Sequence, residues 1–484
     1  MSVFKLPPEV LGKIFSWNVT LKDDFDGLEK ESHNFLFVCH HWFQVASRTP
    51  ELWSFWGNNL EDWTRWYPYS RTAPLDLVLD DPTCDDVRLD TALYNELQGR
   101  ATRDIIRRVH LKANDPRLLC SIISSLTTKC EGTRTNSVES FVLCISGVRP
   151  ADVSDFFVPY RFPKLQRLGL GNCRFSWNDL ISRTGALTCL DIAEFPSPTP
   201  TTSQLLSLLA SNPLLQKIVL NVGAISRDDD DTFSIRVPLH DLETLELTGK
   251  LRDVIRLFHR LDHPRRMDSL KLTLRDCSVE EISQLVEPVQ DCLGGRGRSQ
   301  HGLGLFLSFH RDLSLHIGDV HGINPLLRRM DTFMVITIDS IQLRRAQQEV
   351  VLVLLVHVPR EEIVHFQTEN GGGIARKVYP LFPNLRALSF AGGYLRTMFP
   401  EPEPDRDKEI LVFLKHLSFQ GMFLDRGDWK PLVDFLTCRA SSGNRLDTVE
   451  ISDSSHMHPG VMRAIGAMVR ELGFDRQRPI VIQK

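Results

Sequence analysis

The sequence predicts an α/β protein in two parts. A small N-terminal helical module occupies residues 1–57, and a curved leucine-rich-repeat solenoid follows over 58–484, poorly defined near 290–375. Two observations predict this. In the first segment apolar residues return every three or four positions, the period of a helix face. Beyond it, short cores of the form Leu-x-x-Leu-x-Leu recur, and their leading residues Leu187, Leu215, Leu242 and Leu270 stand 28, 27 and 28 residues apart.

The first element is LPPEVLGKIFSW at 6–17. Pro7 and Pro8 suit a helix start, where missing amide hydrogens cost little, and Glu9 favours the positive end of the helix. Val10, Leu11, Ile14 and Phe15 then fall at helix spacing. The polar stretch from Val19 to Lys30, with Gly27, reads as a loop. A second helix follows in FLFVCHHWFQVASR through Phe35, Val38, Trp42, Val45 and Ala46. Pro50 ends it, and ELWSFW restarts a short turn with Leu52, Trp53 and Trp56. Helices this short leave apolar surface that needs a neighbour. Periodicity alone leaves two neighbours open: the rest of the chain, which the module would cap, or a separate protein that it docks.

Three ordered pieces of this segment form a pattern. Leu6, Pro7, Glu9, Leu11, Ile14 and Phe15 fit Leu-Pro-x-Glu-x-Leu-x-x-Ile-Phe. Val38, Cys39 and Trp42 fit Val-Cys-x-x-Trp, and Pro50, Leu52 and Trp53 fit Pro-x-Leu-Trp. Together they resemble an F-box, with a closure similar to that of F-box-like proteins of fungi. The F-box is the module by which such proteins bind the small adaptor of cullin-RING ubiquitin ligases. The resemblance implies that Leu6, Pro7, Leu11, Ile14 and Phe15 supply adaptor-facing apolar surface. It also implies that Val38 and Trp42 lock the second helix at that interface and that Trp53 closes the module. It covers about a tenth of the chain, and the polar segment between the first two helices is longer than in compact F-boxes.

The remainder carries strand-like cores. They are FPKLQRLGL (162–170), ALTCLDI (186–192), NPLLQKIVL (212–220), HDLETLELTG (240–249) and MDSLKLTLRDC (267–277). FPNLRALSF (382–390), LKHLSFQG (414–421) and RLDTVEIS (445–452) continue the series. Helix-like pieces such as TTSQLLSLLASN and RDVIRLFHRLD lie between them. A strand plus helix of this size buries its apolar face only by stacking on its neighbours. PLDLVLD (74–80), IRRVHLK (106–112) and SVESFVLCI (137–145) read as degenerate strands. Within 290–375, SFHRDLSLHI and TFMVITI could be strands, whereas GGRGRSQHG and TENGGGIARK read as loops. An ordinary α/β domain with coincidental leucine spacing is the alternative.

Composition narrows the function classes. A formal charge of −4 over 484 residues, with both signs interspersed, offers no extended surface for nucleic-acid phosphates. The N-terminus lacks the basic and apolar regions of a signal peptide. The strongest apolar run, VVLVLLVHV at 350–358, is too short to span a bilayer and suits a buried helix or strand. Ten cysteines without a C-x-x-C pair fit a reduced, intracellular protein, cytoplasmic or nuclear.

No motif of a hydrolase elbow, nucleotide loop or zinc peptidase occurs. GGRGRS at 294–299 lacks phosphate-loop spacing. Cys39, His40 and His41 follow one another along a helix and do not converge, and no further ligand joins His259 and His263. Asp228–Asp231 reads as a solvated turn, or as an attractor of basic segments. Trp63, Trp66, Tyr67 and Tyr69 read as packing, or as a binding hot spot. The expected protein is therefore no enzyme and holds no cofactor or metal. It is expected to be a substrate-recognition adaptor of a cullin-RING (SCF-type) ligase. Its N-terminal module would bind the adaptor subunit, and through it a cullin, while its repeats bind a protein substrate. The alternative is a non-ligase interaction scaffold.

Overall fold

A computed structural model of the chain describes residues 6–20, 38–56, 69–70, 73–80, 106–117, 119–120, 138–154, 163–194, 199–222, 225, 236–262, 267–275, 277, 279–285, 303–309, 312–321, 329–339, 347–355, 358–370, 372–392, 399, 411–422, 429–452 and 459–474. These fall into two units, residues 1–242 and 243–484.

In the first unit, helices α1 (Pro8–Thr20) and α2 (His40–Ser47) and a short 3-10 turn (Pro50–Trp53) precede the sheet. Seven strands then lie side by side in chain order and all parallel. They are β1 (Phe55–Trp56), β2 (Leu75–Asp80), β3 (Ile106–Ala113), β4 (Ser140–Ile145), β5 (Arg167–Gly171), β6 (Cys189–Glu194) and β7 (Lys217–Asn221). Their register follows from alternation: with a period of two, every second residue reaches one face. Leu79, Leu111, Leu143, Leu170, Ile192 and Leu220 thus form one buried row across six strands.

Helices α3 (Trp177–Arg183) and α4 (Thr202–Ala210) pack together between strands. The N-terminus of α4 is fixed by a capping box of Thr201 and Gln204, which satisfies two otherwise orphaned amides.

The second unit begins with β8 (Thr244–Lys250) and β9 (Ser269–Arg275), which are parallel and flank α5 (Leu251–Arg260). Three long strands follow: β10 (Leu303–Phe309), β11 (Leu313–His321) and β12 (Arg329–Asp339). They form an antiparallel meander, β10 against β11 and β11 against β12. The remaining strands are β13 (Ile363–Glu369), β14 (Ala387–Ala391), β15 (His416–Gln420), β16 (Thr448–Ser452) and β17 (Glu471–Phe474), parallel in chain order. Helices α6 (Gln347–Leu355), α7 (Gly372–Val378), α8 (Lys430–Ser441) and α9 (Pro459–Met468) connect them. The spatial order is β8-β9-β12-β11-β10-β13-β14-β15-β16-β17.

The curved leucine-rich-repeat solenoid expected from the sequence is not what forms. A large mixed sheet, parallel and antiparallel, takes its place. The reason lies in connection length. Only His310, Arg311 and Asp312 separate β10 from β11, whereas a parallel return needs about a dozen residues or more. The chain must therefore reverse, and the one-strand-per-repeat pattern breaks within 290–375. Leu187, Leu215, Leu242 and Leu270 are all buried, so their spacing records strand–helix units without specifying a uniform array. Of the run 350–358, Val350–Leu355 lies in α6, where Val350, Val351, Leu354 and Leu355 are buried.

Candidate functional site

The first candidate is the N-terminal module. Leu11 and Phe15 lie one turn apart on α1 and point into a small core with Val45, Ala46, Leu52 and Trp53. Leu6, Trp42, Phe43 and Tyr69 pack against that core. The Phe15 and Trp42 rings are 5.0 Å apart, and those of Trp53 and Tyr69 are 5.4 Å apart. The Trp53 Nε1–H donates to the Ala46 carbonyl at 2.7 Å, tying the 3-10 turn to α2. Gly12 lets α1 approach closely, since a Cβ there would come 2.9 Å from Thr49 Oγ1.

This geometry sorts the residues expected at a partner interface. Leu11 and Phe15 are 1% and 3% exposed, so they build the module itself. Leu6 and Trp42 are half-buried, and Pro7 is exposed. Ile14 faces outward at 42%, joined on the same face of α1 by Val10 at 43%. Val38 is 54% exposed and precedes α2, which starts at His40 after an extended Cys39.

The F-box identification is therefore corrected, and with it the recognition of an F-box protein with leucine-rich repeats. Two residues meant for the adaptor, Leu11 and Phe15, are consumed internally, and Val38 lies ahead of α2 instead of within it. The module also runs directly into the sheet, because Phe55 and Trp56 pair with Asp76 and Leu77. Of the other sequence candidates, His259 is exposed on α5, and His40 and His41 follow one another on α2. Trp63, Trp66, Tyr67, His263, Asp228–Asp231 and the loop 294–299 lie outside the described residues.

The second candidate was not legible beforehand. On β13–β16 one face of the sheet is apolar and covered, with Phe366, Phe390, Phe419 and Ile451 buried. The opposite face is polar. In register across it run Gln367, Ser389, Ser418 and Glu450, ending at Gly473 on β17. This face lines a cavity of about 260 Å3, with His365, His416, Gln420, Thr448 and Ser452 around the row. His365 Nε2 lies 3.3 Å from Ser389 Oγ, and His416 Nδ1 lies 2.9 Å from Thr448 Oγ1, so each imidazole is held by a hydroxyl on the next strand.

The Glu450 stem lies over Gly473, where a Cβ would stand 3.1 Å from Glu450 Cγ. Burial, aided by the nearby Glu471, pushes the Glu450 carboxyl above its ordinary value. The face therefore offers hydroxyl, amide and imidazole groups around a partly desolvated carboxylate.

Among the described residues, no three His, Cys, Asp or Glu side chains come together as metal ligands. No described helix is long and apolar enough to cross a membrane. Compared with models of known protein families and with curated proteins, the chain matches none.

Proposed function

We infer that the protein is a non-enzymatic substrate-recognition adaptor of a cullin-RING ubiquitin ligase. Its N-terminal module docks the ligase's adaptor subunit, and its sheet surface holds a protein substrate. The observation that carries the docking half is the pair Val10 and Ile14, one turn apart on the outer face of α1, with Val38 also exposed. The module has already spent Leu11 and Phe15 on its own core, so these remaining apolar groups are free to meet a partner. Such a protein contributes proximity and no reacting group, because holding a target beside a ligase raises its effective concentration.

The test is binding of the full-length protein to the cullin-RING adaptor subunit, beside a Val10→Asp, Ile14→Asp double variant. Both side chains are solvent-facing, so the variant is expected to fold, which its thermal melt checks. Sub-micromolar binding that disappears in the variant supports the reading. Absence of wild-type binding overturns the ligase reading and leaves an interaction scaffold.

A further inference from the structure

The polar face of β13–β17 has an occupant chemistry written into it. Glu450 stands in the cavity row beside Ser418, and Glu471 stands on the next strand opposite Thr448. Among the described residues no lysine or arginine forms an ion pair with either carboxylate. The basic side chains of this region sit at the strand entrances instead. Arg386 and Lys415 precede β14 and β15, and Arg470, before β17, is engaged with Asp447 at 3.1 Å.

From this arrangement we propose that the face binds a lysine or arginine side chain of a partner polypeptide, with Glu450 as counter-ion and Ser418, Ser389 and Gln367 as hydrogen-bonding neighbours. The inference deepens the adaptor reading and rests on it in one respect, that the occupant belongs to a protein substrate.

Size, polarity and charge each narrow the choice. A cavity of about 260 Å3 lies below the range of drug-sized pockets, about 300–1,000 Å3, and suits a single long side chain. An apolar occupant would offer Ser418 and Gln367 no hydrogen-bonding partner. An anionic one would meet Glu450 in the lining, with Glu471 on the neighbouring strand adding to the repulsion. A cation recovers the energy that burial takes from the Glu450 carboxylate, and its N–H groups can donate to Ser418, Ser389 and the Gln367 carbonyl oxygen. Glu450 is also available: its stem is packed on Gly473, which orients the carboxylate.

The experiment uses immobilised full-length protein and a pool of short peptides with random flanks and a central Arg, Lys, Gln or Glu. Wild type is expected to retain the Arg and Lys peptides about tenfold over their Gln counterparts, the scale of one charge-assisted hydrogen bond. Glu450→Gln, close to isosteric, should erase that preference. Asp241→Asn, which removes an exposed carboxylate that does not line the cavity, should keep it. Equal retention of Arg and Gln peptides by wild type, or an undiminished preference in Glu450→Gln, overturns the proposal.

Binding of the ligase adaptor subunit, measured on the same samples, separates the two readings. The Val10→Asp, Ile14→Asp variant should lose the subunit and keep the peptide preference, and Glu450→Gln should do the reverse. A protein that prefers basic peptides but never binds the subunit retires the ligase role while leaving this site standing.

Discussion

Arg107 occupies a bulge in β3 and reaches across to β2, where its guanidinium grips Asp76 with Nε to Oδ1 at 3.0 Å and Nη2 to Oδ2 at 2.6 Å. The register shifts between Leu75 and Asp76, which pair with Ile106 and Arg108, so Arg107 is the residue left over. Its hydrogen bond to Asp76 raises its pKa above the ordinary arginine value. Asp76→Asn keeps the shape and removes the charge. It should destabilise the protein by about 2 kcal/mol, between an exposed and a buried pair, and lower Tm in a thermal melt.

Asn212 performs a similar task without charge. Its Oδ1 accepts from the Leu187 amide at 3.1 Å, and its Nδ2 donates to the Leu208 carbonyl at 2.8 Å and to Thr184 Oγ1 at 3.3 Å. One buried amide thus joins the end of α4 to the loop after α3. Asn212→Ala strands these groups and should cost about 2–3 kcal/mol in urea unfolding. Asn212→Asp keeps the acceptor and loses the donors, so a penalty in that variant too is expected.

Thr368 offers a change in the other direction. It lies in register between Leu307 and Phe390 on the apolar face of the sheet. It is buried, and its Oγ1 has no hydrogen-bond partner among the described residues. Thr368→Val replaces the hydroxyl with a methyl of similar size and should stabilise the fold by about 1 kcal/mol. A fall in Tm would show that the hydroxyl has a partner after all.

Glu450 gives a pH-dependent prediction. Its folded-state carboxyl titrates above the unfolded value, chiefly through burial and then through Glu471. The stability associated with it is therefore fully present below the unfolded carboxyl pKa, about 4.3. That stability is lost as pH rises through the folded value, because the unfolded chain ionises first. Glu450→Gln should match wild type in Tm at acid pH and exceed it at neutral pH. A gap that is constant across pH would mean that the substitution acts through packing instead.

What the sequence disclosed and what it withheld follow from what each pattern encodes. Leucines at two-residue and three-residue steps mark where β5, β6, β7, β8 and β9 lie, because burial of one face is a local property of the chain. The direction in which a strand runs is not written in its own residues. It is decided by the connection, and the short link through Asp312 reversed β11. The helix face of α1 was legible as apolar, but periodicity could not rank Leu11 and Phe15 against Val10 and Ile14, because all four share one broad stripe. The polar row escaped for a different reason. Gln367, Ser389, Ser418 and Glu450 are ordinary residues at alternate strand positions, far apart in sequence, and only parallel register makes them neighbours.

The β10–β12 meander also dictates an order of events. In an array that adds one strand at a time, each new strand finds its partner immediately before it in the chain, and ordering can spread from any starting point. Here Leu270 must wait for Met334, and Leu305 must wait for Phe366, because β9 sits beside β12 and β10 beside β13. Both closures span long loops, whose entropy is spent before any strand pairing repays it. Folding of residues 243–484 therefore cannot zip along the chain from β8. During synthesis, the edge of β9 stays open until the whole meander has emerged, which makes this the interval in which the nascent protein is most exposed to wrong pairing.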